Sequence, residues 1–378
     1  MTPSSWFQRL LLPGFAFKAV VIGGGYATGR ELAEFFLPSG PRGGLMGMVL
    51  AMAIWSLVCV ATFLFAQLTG SRDYRSFFRG LLGPAWPVFE VAYALFVVLI
   101  LSVFAAAAGA IAEAVFGLPK LVGAIALIGA IMGVATFGNT AVERLFKYVS
   151  FFLYGAYAVF VVLALLRFGQ RIPAQLALAT PTTGWAAGGL AYASYNIIGA
   201  VVILPVVRHM RGRRDAVIAG LLAGPLAMLP ALLFFLCMIA YYPQIGGRTL
   251  PSDYLLSQLG LPVFRVVFQL MIFAALLESG TGAVHAINER IAHAWRSRRG
   301  RELSRLGRLA AAAVVLTVSV FIADRFGLVA LIAKGYRFLA WLFLALYVLP
   351  LLTFGVWRLS RGWRAFPLPS PEGVAHAP

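Results

Sequence analysis

The sequence predicts an all-α integral membrane protein, with ten transmembrane helices laid out as a 5+5 inverted repeat. Three observations predict it. Of the 378 residues, 61% are apolar and 12% charged, and the mean hydropathy is +0.89; an average soluble domain carries about 25% charge. Ten runs approach or exceed the ~20 apolar residues that carry a helix across the hydrocarbon core. The basic residues are also distributed asymmetrically. With the N-terminus inside, twenty of the 31 fall on the cytoplasmic side and six on the other, the bias of the positive-inside rule. Five is odd, so a second copy of the first half must sit upside down, as in many secondary transporters.

The runs are 15–37, 43–69, 86–115, 119–140, 143–167, 185–207, 214–242, 261–292, 305–324 and 327–357. They divide the chain into a cytoplasmic N-terminus (1–14), a first repeat (15–167), an extracellular connector (168–184), a second repeat (185–357) and a cytoplasmic tail (358–378), Pro-rich and expected to be disordered past Arg364. Span 1 is too long for a cleaved signal peptide, follows an amphipathic stretch (Trp6 to Leu12) and contains Arg30, Glu31 and Glu34. Cys59 and Cys237 lie in apolar runs and offer neither a disulfide framework nor metal-ligand spacing. The net charge of +18 is explained by topology, so the expected partners are a lipid bilayer and a small molecule rather than nucleic acid.

Span 1 carries Gly23, Gly24, Gly25, Tyr26, Ala27, Thr28 and Gly29 in succession. Three mid-span glycines each weaken a helix by about 1 kcal/mol relative to alanine. They serve either close packing of small residues or an unwound segment whose amides and carbonyls meet a ligand. A dinucleotide fingerprint is excluded, because no strand–helix alternation surrounds these glycines and no acid follows about 20 residues on. Span 6 matches this with Tyr195-Asn196 at its middle and Pro205 beyond. Asn196 marks either a second interruption or an interhelical hydrogen bond. Paired mid-span interruptions make Gly23, Gly24, Gly25, Tyr26, Tyr195 and Asn196 the candidate substrate-binding residues.

In span 8, Glu278, Thr281, His285 and Glu289 recur at helical spacing and give one polar face. Glu278 lies near mid-membrane, where a carboxylate needs a cavity or a partner. Glu289 is expected to pair with Arg290 or a loop base, and His285 is either a structural hydrogen-bonder or a proton relay. Glu143 and Lys147 in span 5 form either a simple i,i+4 pair or an inward-reaching cation at Lys147. Glu90 and Glu113, at opposite ends of span 3, are expected at the interfaces.

The run Gly23 to Glu31, with Glu34-Phe-Phe, Gly40 and Gly43-Gly44, resembles the first-helix signature of YkvI-type membrane proteins. The likeness extends to Tyr195-Asn196, to Leu250-Pro-Ser-Asp-Tyr-Leu255 and to the run Ser279 to Arg290. That group is placed in the amino acid–polyamine–organocation superfamily of LeuT-type fold. The resemblance implies a five-plus-five core with discontinuous helices 1 and 6, and it implies no substrate. It also puts a sodium site between the span 1 carbonyls and the hydroxyls of Ser279 and Thr281, whose oxygens suit a hard cation. The rival route is protonic, through Glu31, Lys147 and Glu278. Beyond a coupling sodium no cofactor is expected. LeuT-type transporters close their outer vestibule with a base on helix 1 and an acid on helix 10. Span 10 here has no acid, so the reversed pair is expected: Lys334 with Glu31 or Glu34, and Arg30 on the other glutamate.

The function these residues support is secondary active transport of a small charged or zwitterionic, amino acid-like solute across the cytoplasmic membrane, with both termini cytoplasmic and no enzymatic reaction. Two alternatives stay open: an enzyme acting on lipid-linked substrates, and a non-transporting sensor on the same fold. Oligomeric state is not legible.

Overall fold

The computed structural model describes residues 4–22, 24–137 and 140–365, and of 24–25, 137, 140–151, 297–298 and 362–365 the backbone path alone. Its described residues are helical and contain no strand. The first predicted span comprises α1 (Leu12–Val21), a single turn α2 (Gly24–Ala27) and α3 (Arg30–Phe35). Then come α4 (Gly40–Thr69), the amphipathic α5 (Tyr74–Leu82), α6 (Trp86–Phe116), α7 (Lys120–Phe137) and α8 (Thr140–Phe168). A short α9 (Arg171–Ala177) bends 75° away from α8 inside the connector.

The second half starts with α10 (Trp185–Asn196) and α11 (Ile198–Val202), which together fill the sixth predicted span. It continues through α12 (Arg213–Ile239), α13 (Pro251–Leu259) and α14 (Pro262–Arg299). The last two predicted spans run on as α15 (Arg305–Ala330), α16 (Arg337–Phe343) and α17 (Val356–Ala365), linked by π-helical turns. Their division falls at Gly327, whose backbone (φ 70°, ψ 167°) leaves the helix.

By length and composition, five helices of the described residues can cross a membrane, or six if the bent pair at α8–α9 is one span. Ten were expected, and the difference has physical causes. Span 6 is broken into pieces too short to count, span 1 is broken so that its second part is counted with span 2 as Arg30–Thr69, and α7 has 17 qualifying residues, Lys120–Thr136. Spans 9 and 10 merge across the Gly327 kink into Arg305–Arg361. Leu57, Val91, Leu166 and Phe321 are exposed on the outside of the helices, as lipid-facing side chains are. This is a multi-pass, all-helical membrane protein.

The core is aromatic: Phe17, Phe36, Trp55 and Tyr192 are all fully buried and meet ring to ring, with Phe36–Tyr192 centroids 4.8 Å apart. Close helix approach around them depends on small residues. A Cβ on Gly189 of α10 would stand 3.1 Å from the Cα of Gly47 in α4. The N-terminal segment is tied down by Arg9, which donates two hydrogen bonds (2.8 and 2.9 Å) to Asp215 at the start of α12.

Gly29 is a residue that span 1 cannot easily replace. Its φ of 76° is left-handed, and a Cβ there would lie 2.5 Å from the Phe234 ring. A left-handed L-residue costs about 1–2 kcal/mol, and the steric overlap adds roughly 1–3 kcal/mol. Gly70 has a similar φ of 64° with open space around it. Gly29→Ala is therefore expected to lower the melting temperature of the detergent-purified protein clearly more than Gly70→Ala does; equal shifts would mean that the Phe234 contact carries no weight.

Candidate functional site

The site begins at the breaks in span 1. After Val21 the chain leaves the helix at Ile22 (ψ 70°), makes the single turn Gly24–Ala27, and turns again through Gly29 before α3. Gly23, one of the expected substrate contacts, lies outside the described residues; Gly24 and Gly25 lie in the single turn. The freed backbone groups find partners. The Gly29 amide donates to the Tyr26 carbonyl (2.9 Å), and the Thr28 hydroxyl accepts from the Arg30 amide (3.2 Å). The Thr28 carbonyl accepts from the Ser252 amide (3.0 Å). Ser252 belongs to the Leu250–Leu255 motif, so that loop is a cap for the break.

Span 6 breaks more softly than expected. Ile197 keeps helical dihedrals (φ −63°, ψ −17°), and the firmer departure comes at Ile203, just before a 3₁₀ segment containing Pro205. Asn196 is occupied locally, its side-chain amide donating to the Tyr192 carbonyl (3.1 Å). The Trp55 indole donates to the next carbonyl, Ala193 (3.1 Å). Both help hold the kink in place.

The two breaks face a cavity of about 320 Å³. Its walls include Val21, Glu31, Tyr195, Asn196, Ser279 and Tyr336. Glu31 is 4% exposed, and the Tyr195 hydroxyl donates to it at 2.5 Å. The Tyr336 ring lies 4.5 Å from that of Tyr195. The cavity thus brings Glu31, Tyr195, Asn196 and Ser279 together. Tyr26 is buried but is not one of the wall residues. Sequence reasoning missed the aromatic walls Tyr93 and Tyr336, because an aromatic residue in a membrane span gives no signal that distinguishes cavity from lipid.

The ion-coupling set separates. Ser279 is on the wall, but Thr281 is two residues on, which on a helix is the opposite side, and its hydroxyl donates back to Leu277 (2.8 Å). The expected pair of hydroxyls therefore does not converge on one ion. Glu278 also lies off the wall, within electrostatic reach of Tyr154 and with its own partner. The side chains of Glu143 and Lys147 lie outside the described residues. Among the described residues no group of three or more His, Cys, Asp or Glu could hold a metal ion.

On the arginine-rich face the cavity shares the walls Tyr93, Val202 and Ala286 with a vestibule of about 500 Å³. The vestibule reaches the exposed side chains of His285, Glu289 and His293. Arg290 anchors it, stacked 3.2 Å over Tyr93 and paired with Glu90 at 3.0 Å. Arg75 reaches the same carboxylate at 3.1 Å. Glu90, expected at an interface, is thus the shared partner of two arginines. Glu289 pairs with Arg308 and not with Arg290. Asp73 caps α5: burial pushes its carboxyl up, but hydrogen bonds from Ser76 and Arg75 outweigh this and hold it below the usual carboxylate range.

On the opposite side of the span 1 break, a buried arginine ties α3 to the loop before α13. Arg30, 6% exposed, donates to the carbonyls of Gly246 (2.8 Å) and Arg248 (3.0 Å) and to Glu34 (2.9 Å). Arg337 stands 3.8 Å from the other Glu34 oxygen. Lys334 does not form the expected pair. It is exposed and bonds to neither Glu31 nor Glu34. The physical reason is the π-helical turn Leu331–Tyr336, which shifts the facing register, so that Arg337 is the base that approaches Glu34. Removing Arg30 takes the shared donor from two carbonyls and the half-buried Glu34 carboxylate, a loss of about 1–3 kcal/mol. Arg30→Met is expected to lower the melting temperature sharply, and Lys334→Met to leave the melting temperature nearly unchanged, its effect on stability being within about 0.5 kcal/mol; the reverse order would restore Lys334 as the closing residue.

No family model matches the chain. It is 22% identical over 279 residues to the uncharacterized membrane protein YkvI of Bacillus subtilis (strain 168), covering 73% of this chain and 79% of that one. In fold it is similar to the inward-facing conformation of Mhp1 (TM-score 0.54, 14% identity, 92% of this chain and 77% of that chain). It is likewise similar to the manganese transporter of Eremococcus coleocola in complex with an aromatic bis-isothiourea substituted compound (TM-score 0.53, 15% identity, 93% and 82%). The chain is thus similar in sequence to YkvI and in fold to transporters of LeuT type.

Proposed function

We propose that this protein is a secondary active transporter that moves a small charged or zwitterionic organic solute by alternating access. One observation carries the reading: a cavity between two interrupted spans adjoins a vestibule on the arginine-rich face, with three wall residues in common, while on the other side the buried Arg30 ties span 1 to loop carbonyls, which we read as a path open on one side and closed on the other. That is one half of an alternating-access cycle. The similarity in fold to Mhp1 and to a manganese transporter supports it.

In this reading the chain forms ten spans, with 15–167 and 185–357 as inverted halves joined by 168–184, and the arginine-rich vestibule faces the cytoplasm. Glu31, Tyr195 and Asn196 contact the solute together with the backbone of 23–26. Coupling runs on protons through Glu31, Glu278 and Lys147, or on sodium held near Ser279. Arg30 and Glu34 form the outer gate.

The test is solute flux in liposomes holding the purified chain, with labelled amino acids, amines and small carboxylates and an imposed proton or sodium gradient. Saturable, gradient-dependent movement of at least one solute is expected, reduced roughly tenfold or more by Glu31→Gln, a loss of ~1.4 kcal/mol or more. Movement driven by sodium at equal pH and unaffected by Glu278→Gln would put the coupling on sodium. Absence of any gradient-driven movement would refute the transporter reading.

A further inference from the structure

We infer that the cavity beside Glu31 takes a small organic monocation and exchanges it for a proton, an inference that rests on the transporter reading above and narrows its substrate. Among the described wall residues Glu31 is the sole carboxylate, and none is lysine, arginine or histidine. One of its oxygens accepts from Tyr195, and the other accepts no hydrogen bond from the described residues. A carboxylate so placed demands a proton or a cation. A substrate carboxylate, by contrast, meets no side-chain cation on these walls.

The remaining surface suits the body of such a cation. Rings of Tyr93, Phe96, Phe104, Tyr195 and Tyr336 line the cavity, and an aromatic face attracts an ammonium group. Between them lie apolar residues such as Val97 and Ile100. At the ~30 Å³ that a water occupies in the liquid, the cavity has room for roughly ten non-hydrogen atoms.

Among the described residues, the groups facing Glu31 leave it as the one charge that changes. Tyr26 approaches from its own span, Tyr192 and Tyr195 from α10, and Tyr336 from the turn before α16; phenols are neutral near pH 7. Arg30 is turned outward to Glu34 and the loop carbonyls, and Lys18 is turned onto the Tyr154 ring at 4.1 Å. On the vestibule side Arg290 is paired with Glu90. Arrival of the cation drives the carboxyl proton to vestibule water, and its departure lets a proton return. The charge in the cavity is the same in both states, so one cation moves against one proton.

The experiment uses liposomes with an acidic, pyranine-loaded interior and the full-length chain. Phenyltrimethylammonium, which cannot lose its charge, is added outside, with phenylalanine and phenylacetate in parallel. The expected result is internal alkalinisation with phenyltrimethylammonium alone, retained in Glu113→Gln and reduced roughly tenfold or more in Glu31→Gln, that is ~1.4 kcal/mol or more. Should Glu31→Gln fail to fold, Glu31→Asp, which keeps the charge but withdraws it, is expected to raise the KM. Cation entry without proton efflux, or exchange indifferent to both Glu31 variants, overturns the inference. Movement of phenylalanine or phenylacetate in place of the cation overturns it and leaves the transporter reading standing. If none of the three moves, the inference falls and the solute screen above decides the transporter reading separately.

Discussion

The site depends on a helix that leaves regular geometry at Ile22, recovers it for the single turn Gly24–Ala27, and turns again at Gly29 before α3. Inside a membrane, an interrupted backbone is tolerated only where protein or cavity water satisfies it. Here the satisfaction is specific: the Ser252 amide takes the Thr28 carbonyl, and Gly29 makes the turn with a φ of 76°. The turn sets the direction of α3. Its adjacent residues Arg30 and Glu31 then point apart, the guanidinium to the outer loop and the carboxylate to the Tyr195 hydroxyl beside the cavity. Straightening this one segment would dissolve both the closure and the cavity wall.

The two ends of the pathway are built with different chemistry. The closed end is a buried arginine spread over two carbonyls and a carboxylate, an arrangement that requires all its partners at once. The open end is a wide vestibule where Glu90 is shared by Arg75 and Arg290, with the latter stacked on Tyr74 and Tyr93. An arginine stacked on rings and held by one carboxylate can keep its contacts while α14 shifts a little. An arginine fixed to loop carbonyls cannot, which makes the outer closure the more switch-like of the two.

Much of this was legible in residues. Composition and run length announced a helical membrane protein, while the glycine run left close packing and a break both open; the described departures from helix fall on either side of the turn Gly24–Ala27, at Ile22 and at Gly29. The Leu250–Leu255 motif was visible as a resemblance without a purpose; its purpose, capping Thr28, is a tertiary contact that no local pattern encodes. The Lys334 pairing failed because a regular helical register was assumed across Leu331–Tyr336, where the chain is π-helical. Ser279 and Thr281 failed as a pair because two residues on a helix face opposite ways. Tyr93 and Tyr336 were invisible because apolar periodicity is silent in a span that is apolar all round.

The central claim is that the cavity is reached from the arginine-rich face and sealed from the other by Arg30. Ala286 walls both cavity and vestibule, and the native Cys59 and Cys237 are buried, so a single Ala286→Cys variant can report access. The decisive measurement is its labelling by a membrane-impermeant thiol reagent, compared between inside-out and right-side-out vesicles. The account predicts rapid labelling from the arginine-rich face, none from the other, and new labelling from that other face once Arg30→Ala is added. Equal labelling from both faces in the protein with Arg30 intact would contradict it.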